Sequence, residues 1–302
     1  MNMQRVKTFI LWTFLCSWLF VFLFLSLGGQ WNSTGSLIVS VIYMFIPMTV
    51  ALILYRFKYH EPVISRLQVK FHLNRWFLVA WLIPPILAFV TFGVNLLFPQ
   101  VSYSPGMAGM FERFSHLLTP EKLEQMKVQA ENFPVSPIWI ALGQGLIAGI
   151  TINAVAGFGE ELGWRGFLQH ELAPIGFWRS SLIIGSIWGF WHAPLILQGH
   201  NYPQHPIVGV VMMIVWCMLL TPLMSYIRIK AKSVITAAIF HGTLNGTVGL
   251  AIMYLQGGND LTTGMTGFAG FLVLILAIVG MNIYDRYFAT ERILHGSLSH
   301  LV

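Results

Sequence analysis

Thr8-Phe-Ile-Leu-Trp-Thr-Phe-Leu-Cys-Ser-Trp-Leu-Phe-Val-Phe-Leu-Phe-Leu-Ser-Leu27 runs for twenty residues without a charge. In a helix rising 1.5 Å per residue, about 20 apolar residues cross the ~30 Å hydrocarbon core of a bilayer. Arg5 and Lys7 precede the run. A cleaved secretory leader has an apolar stretch of about 7–15 residues and a small-residue cleavage site. This stretch is longer and no Ala-x-Ala-like site follows, so it reads as a retained first span. The same rule finds seven more spans, at 36–55, 77–98, 138–158, 181–198, 207–227, 233–254 and 265–284. The expected fold is all-α, a polytopic transmembrane helical bundle of about eight spans.

Composition agrees with that class. Of 302 residues, 56% are hydrophobic and only 9% charged, against about 25% charged in soluble domains. The net charge of +6 does not point to nucleic acid, because the basic residues sit in short loops between apolar runs. With the N-terminus in the cytoplasm and eight spans, 14 of the 17 Lys and Arg residues fall on the cytoplasmic side. Only Arg113, Lys122 and Lys127 lie outside. This is the positive-inside pattern, and it places both termini in the cytoplasm. Cys16 and Cys217 both lie within apolar runs and form no secreted-type disulfide framework.

Three parts are expected along the chain. Residues 1–137 hold three spans and an outer loop, residues 138–255 a core of four spans, and residues 256–302 the last span and a cytoplasmic tail. In the outer loop, Thr119-Pro120-Glu121 reads as a helix start, with threonine at the N-cap and proline at the first helical position.

The core carries ionisable groups that a membrane segment does not tolerate without cause. The first set is Gly157-Phe-Gly-Glu-Glu-Leu-Gly-Trp-Arg-Gly166. Glu161 and Arg165 are spaced i,i+4 and share a helix face, so they can pair. Glu160 points about 100° away and is free to face a cavity, where a carboxylate can serve as a general base. A helix end emerging at the cytoplasmic interface would carry the same residues. The second set centres on His192, with Trp188 four residues before it on the same face, able to pack the ring and exclude water. A hydrogen bond to a neighbouring helix would also account for this histidine, and lipid-facing anchoring for the tryptophan. The third set is His241 and Asn245, again i,i+4, flanked by Gly242 and Gly246. The amide can donate to a developing oxyanion; a polar contact in a Gly-x-x-x-Gly helix interface uses the same residues. His241 lies about 12 Å from the cytoplasmic end of its span, and the glutamates enter from that side, so the three sets can converge.

Other membrane-protease chemistries are absent from the sequence. There is no His-Glu-x-x-His zinc signature and no Gly-x-Ser-x-Gly elbow. The two aspartates, Asp260 and Asp285, fall at opposite membrane faces and make no intramembrane aspartyl pair.

In order, the three sets resemble the motifs of the CAAX-protease and bacteriocin-processing family (CPBP, or Abi) of intramembrane proteases: Glu-Glu-x-x-x-Arg, Phe-x-x-x-His and His-x-x-x-Asn. Glu160, Glu161 and Arg165 match the first. His192 matches the second, with Trp188 where the family usually has phenylalanine. His241 and Asn245 match the third. The resemblance implies an intramembrane endopeptidase open to the cytosol, acting on a membrane-associated or lipidated protein or peptide. Glu160, assisted by His192, would activate water, while His241 and Asn245 would stabilise the oxyanion or complete a metal site. Trp188 would line the substrate side. Glu160, His192 and His241 are the set that would hold a divalent metal such as zinc, and a metal-free glutamate mechanism fits the same residues. Two other readings stay open: a non-catalytic immunity or scaffold protein, and a proton-coupled transporter. The short loops point to a bacterial plasma membrane, with the lipid bilayer and a peptide substrate as partners and no nucleic acid.

Overall fold

The computed structural model describes residues 2–31, 33–114, 119–132 and 134–294. Helix α1, Met3–Ser26, starts five residues before the apolar run because the Asn2 side chain caps it, accepting from Arg5 N. Ser33 and Ser36 form a reciprocal capping box for α2, Thr34–Ile53, which runs on through a π-helical turn at Leu54–Lys58. A one-turn helix α3, Val63–Arg66, follows, and then α4, Arg75–Asn95, capped by Asn74.

The outer segment holds a short strand β1, Val101–Tyr103, helix α5, Ala108–Phe114, and helix α6, Pro120–Asn132. The start of α6 is where the sequence places it, with Lys122 N donating to Thr119 Oγ1 at 3.4 Å. The Glu121 carboxyl there is held below the usual carboxylate range by its own backbone N–H and by Thr119. Strand β2, Leu255–Gly257, pairs antiparallel with β1, Val101 opposite Gly257. Nothing in the sequence reading anticipates this ribbon. Among the described residues the fold is nevertheless all-α apart from these six.

The core begins with α7, Pro137–Ile150, and α8, Ile152–Glu161, which meet at a 50° bend. Thr151 makes the bend: its backbone leaves helical geometry (φ −120°, ψ −109°), and its hydroxyl donates back to Ile147 O at 2.7 Å. Threonine back-bonding of this kind bends helices. A π-helical segment, Leu162–Leu168, and a short helix α9, Gln169–Leu172, extend α8. Helix α10, Phe177–Trp191, is followed after His192 by α11, Ala193–Ile196. Three long helices complete the chain: α12, Pro206–Ala231; α13, Val234–Thr247; and α14, Phe268–Tyr287.

By length and apolarity, six helices can cross a membrane, or seven if the bent pair α7–α8 counts as one span. The sequence expectation was eight. The difference is the fifth expected span, 181–198. Its helix α10 has 15 residues and reaches only about 22 Å. Pro194 is the cause, since it has no N–H and its ring clashes with the carbonyl four residues back. The chain tightens at His192, whose N–H donates to Gly189 O rather than one residue further back. The freed Trp191 carbonyl accepts from Tyr43 Oη at 2.6 Å and Trp18 Nε1 at 3.2 Å. Helices α1 and α2 therefore clasp the break.

Candidate active site

Small residues bring α8 onto α13. A Cβ on Gly242 would lie 2.5 Å from Ala154 N, and one on Gly157 would lie 3.2 Å from His241 Cβ. Asn153 Nδ2 donates to Gly242 O at 3.2 Å and fixes the register. One turn further along the same contact, Glu161 Oε1 accepts from His241 Nδ1 at 2.8 Å.

Glu161 also pairs with Arg165, as the i,i+4 spacing predicts. Arg165 Nη1 straddles the carboxylate, 3.0 Å from each oxygen. Both side chains are 0% exposed. The other end of the guanidinium donates to Thr221 Oγ1 at 3.0 Å, and its plane lies 4.3 Å from the Trp188 ring centroid. A buried charge needs partners; Arg165 has an anion, a hydroxyl and an aromatic face, and only its Nε has no hydrogen-bond partner among the described residues.

Glu160 turns away from that pair. It is 3% exposed, and its Oε2 accepts from Trp188 Nε1 at 2.7 Å. Its Oε1 has no hydrogen bond among the described residues, and it is not among the sealed unpartnered atoms. It is the carboxylate oxygen left to meet a ligand.

Trp188 is the centre of the arrangement. Its ring centroid is 5.7 Å from both His192 and His241, and it carries Arg165 on its face and Glu160 on its edge. The sequence reading assigned it to substrate packing; the structure gives it a positioning contact with the glutamate itself. His192 Nδ1 lies 2.8 Å from Trp188 O. A carbonyl only accepts, so Nδ1 carries the proton and the Nε2 lone pair is free. By the same argument, His241 donates from Nδ1 to Glu161 and presents Nε2. Break geometry supplies the His192 bond, because the tightened turn leaves the Trp188 carbonyl without its helical N–H partner.

Glu160, Glu161, Arg165, Trp188, His192 and His241 are thus brought together. Asn245 is on the same face of α13 one turn beyond His241, is exposed, and makes no hydrogen bond among the described residues. Thr221 and Asn153 were not singled out from the sequence; a mid-span threonine or asparagine carries no signal of its own there. The donor set suggested for a metal, Glu160, His192 and His241, does not gather. Among the described residues, no three His, Cys, Asp or Glu side chains lie close enough to hold one ion. The Trp188 ring packs against both imidazoles.

Residues 138–247 match the model of the Rce1-like family, described as type II CAAX prenyl endopeptidase Rce1-like. All three motifs and every residue of the cluster fall inside that stretch. This stretch of the chain is similar to CAAX prenyl endopeptidases. A CAAX prenyl protease 2 from Methanococcus maripaludis is 29% identical over 144 residues, covering 44% of this chain and 48% of that protein. The match therefore spans about half the length of this relative. Set against the motif pattern that the sequence resembles, this chain has the Trp188 indole in place of a phenyl ring, and its N–H contacts the first glutamate.

Proposed function

We propose that the chain is an intramembrane endopeptidase that hydrolyses a peptide bond in a membrane-associated or lipidated protein or peptide. One observation carries the reading. Of two adjacent buried carboxylates, Glu161 is committed to Arg165 and His241, while Glu160 makes one hydrogen bond, to Trp188 Nε1, and keeps Oε1 free; Trp188 also packs against both imidazoles. That division supplies one positioning carboxylate and one base.

In this mechanism a water sits on Glu160 Oε1, oriented by the lone pair of His192 Nε2. Glu160 takes a proton as the water oxygen bonds to the peptide carbonyl carbon. An imidazolium at His241, paired through Nδ1 with Glu161, and the amide of Asn245 donate N–H bonds to the oxygen that gains charge, His241 from Nε2. Collapse breaks the C–N bond, and the proton held by Glu160 passes to the leaving amine. No step runs through a metal, because the residues do not gather a ligand set.

The basic loops favour both termini and the open side of the site in the cytosol, and the short loops favour a bacterial plasma membrane. The relative's name makes prenylated C-termini the first substrates to try. Purified wild type and Glu160→Gln would be incubated with membrane-anchored peptides, including prenylated C-terminal tetrapeptides and double-glycine leaders, with products read by mass spectrometry. Wild type is expected to cut one class. Glu160→Gln should lose about 10²–10⁴-fold in rate, the span of general-base effects, with unchanged melting. Activity should survive a strong chelator; loss restored by zinc would replace the free-glutamate mechanism with a metal one. Equal cleavage by Glu160→Gln refutes the assignment.

A further inference from the structure

Helices α4, α12 and α14 frame a groove of about 470 Å³ on the side of the bundle where the basic residues gather. Val79, Ile83 and Leu87 line it from α4, Leu223 from α12, and Ala277 and Met281 from α14. The polar groups stand together at one end, where Arg75, Trp76, Tyr226 and Tyr284 form its mouth. The three aromatic rings meet edge to face, with centroids 5.7, 5.9 and 6.5 Å apart. Arg75 is exposed and pairs with no carboxylate among the described residues; its hydrogen bond goes to Tyr284 Oη at 3.0 Å. That hydroxyl keeps its own proton to donate. A second cation, Lys230 Nζ, lies 5.4 Å from the Tyr226 ring centroid. Asp285, the carboxylate at this end of α14, is buried and accepts from Tyr226, Ile293 N and Leu294 N, with Lys230 4.0 Å away.

The dimensions say what fits. From Arg75 to Leu87 helix α4 rises about 18 Å, a little more than half of the ~30 Å hydrocarbon core. The groove therefore runs the depth of one leaflet. Its volume drawn out over that length is about 6 Å wide on average. Carbon atoms pack about 3.5–4.0 Å apart, so one extended hydrocarbon chain fits, and a helix about 10–12 Å across does not. Gly280 makes the opening: it is exposed, and a Cβ there would meet nothing within 4 Å. Aromatic and basic side chains at the mouth match headgroup depth, and basic pockets between spans bind anionic headgroups.

We propose that this groove holds one acyl chain of an anionic phospholipid from the leaflet on the basic side, with its phosphate on Arg75 and the Tyr284 hydroxyl. The chain gains little by leaving other lipid tails, which are as apolar as the groove, so selection comes from the headgroup charge. The lipid also supports the candidate active site from behind. Leu223 lies two residues from Thr221 and about 200° around α12. The chain therefore packs against α12 opposite the hydroxyl that receives Arg165, and seats that helix whether or not a peptide is cut.

The test uses the full-length chain, purified in detergent and freed of lipid by detergent exchange. It is titrated with phosphatidylglycerol and phosphatidylcholine carrying the same oleoyl chains, and bound lipid is counted by native mass spectrometry. Wild type should hold one phosphatidylglycerol about fivefold tighter than phosphatidylcholine, the weight of one basic residue at an anionic headgroup. Arg75→Gln should bind both lipids alike, at the wild-type affinity for phosphatidylcholine. Gly280→Leu puts a side chain into the opening and should weaken both at least tenfold. It should melt no lower than wild type without lipid, because it removes a glycine from a helix interior. Equal wild-type affinity for the two lipids overturns the headgroup site. Unchanged binding by Gly280→Leu overturns the groove as the seat of the chain. Competitive displacement by a farnesylated peptide gives the groove to a substrate chain instead, and a dimer that Gly280→Leu dissolves gives it to a second copy. Binding is read without turnover, so each of the first two failures leaves the proteolytic reading standing.

Discussion

Neutralising Glu161 should unfold this bundle more than it harms any surface contact, and the size of the effect follows from the geometry. Glu161→Gln keeps the shape and removes the charge. Oε1 can still accept from His241 Nδ1, which lies 2.8 Å from it. The amide nitrogen then stands where Oε2 was, 3.0 Å from Arg165 Nη1, so a donor faces a donor. Arg165 is left charged at 0% exposure. Breaking a buried ion pair by removing one partner costs about 3–5 kcal/mol. At roughly 2 °C of Tm per kcal/mol for a chain of this size, the melt should fall by about 6–10 °C. The double variant Glu161→Gln with Arg165→Met removes the orphaned charge and should recover at least half of that loss, a coupling that only a direct pair produces. Both would be measured by thermal melting of purified protein in detergent, followed by size-exclusion fluorescence. Glu161→Gln melting within 2 °C of wild type, or a double variant at the sum of the two single losses, refutes the pairing as the element that holds α8 in place.

Two further outcomes follow from the same cluster. Trp188→Phe keeps the ring under Arg165 and deletes the only hydrogen bond given to Glu160 among the described residues, so kcat should fall about tenfold with KM within about twofold, the loss expected of a charged hydrogen bond near the low end of its range. An unchanged kcat would mean that the ring alone is required. Gly242→Ala places a methyl 2.5 Å from Ala154 N, against backbone that cannot yield cheaply. It should lower Tm by several degrees, at about 2 °C per kcal/mol, and reduce activity by parting Glu161 from His241; wild-type melting and rate would show the α8–α13 contact to be loose.

Hydropathy made the membrane class and most of the long helices legible, because the bilayer imposes one length and one polarity on every span. The Glu161–Arg165 pair was legible too, since an i,i+4 spacing is a local property of one helix. The bend at Thr151 and the break at His192 were not. Each depends on a side chain or proline whose effect on hydropathy is negligible, and an apolar count runs straight through both. Thr221 was missed for a different reason. Its importance arises from what α12 packs against, and a single helix read alone does not say which of its polar residues will be met by a partner.

The pairing of roles in the first motif is a consequence of burial. Two ionised carboxylates on adjacent residues repel strongly in a dry interior, so the fold cannot leave both unmatched. It answers with Arg165 and His241 on Glu161 and a single indole N–H on Glu160. The arrangement commits Glu161 to its partners and leaves Glu160 held by one hydrogen bond, as the proposed base must be. A second cation placed at Glu160 would stabilise the bundle further and remove that proposed base. Trp188 meets both demands at once: its N–H fixes the direction of the carboxylate without a charge to neutralise it, and its ring face carries the guanidinium that secures the neighbouring glutamate.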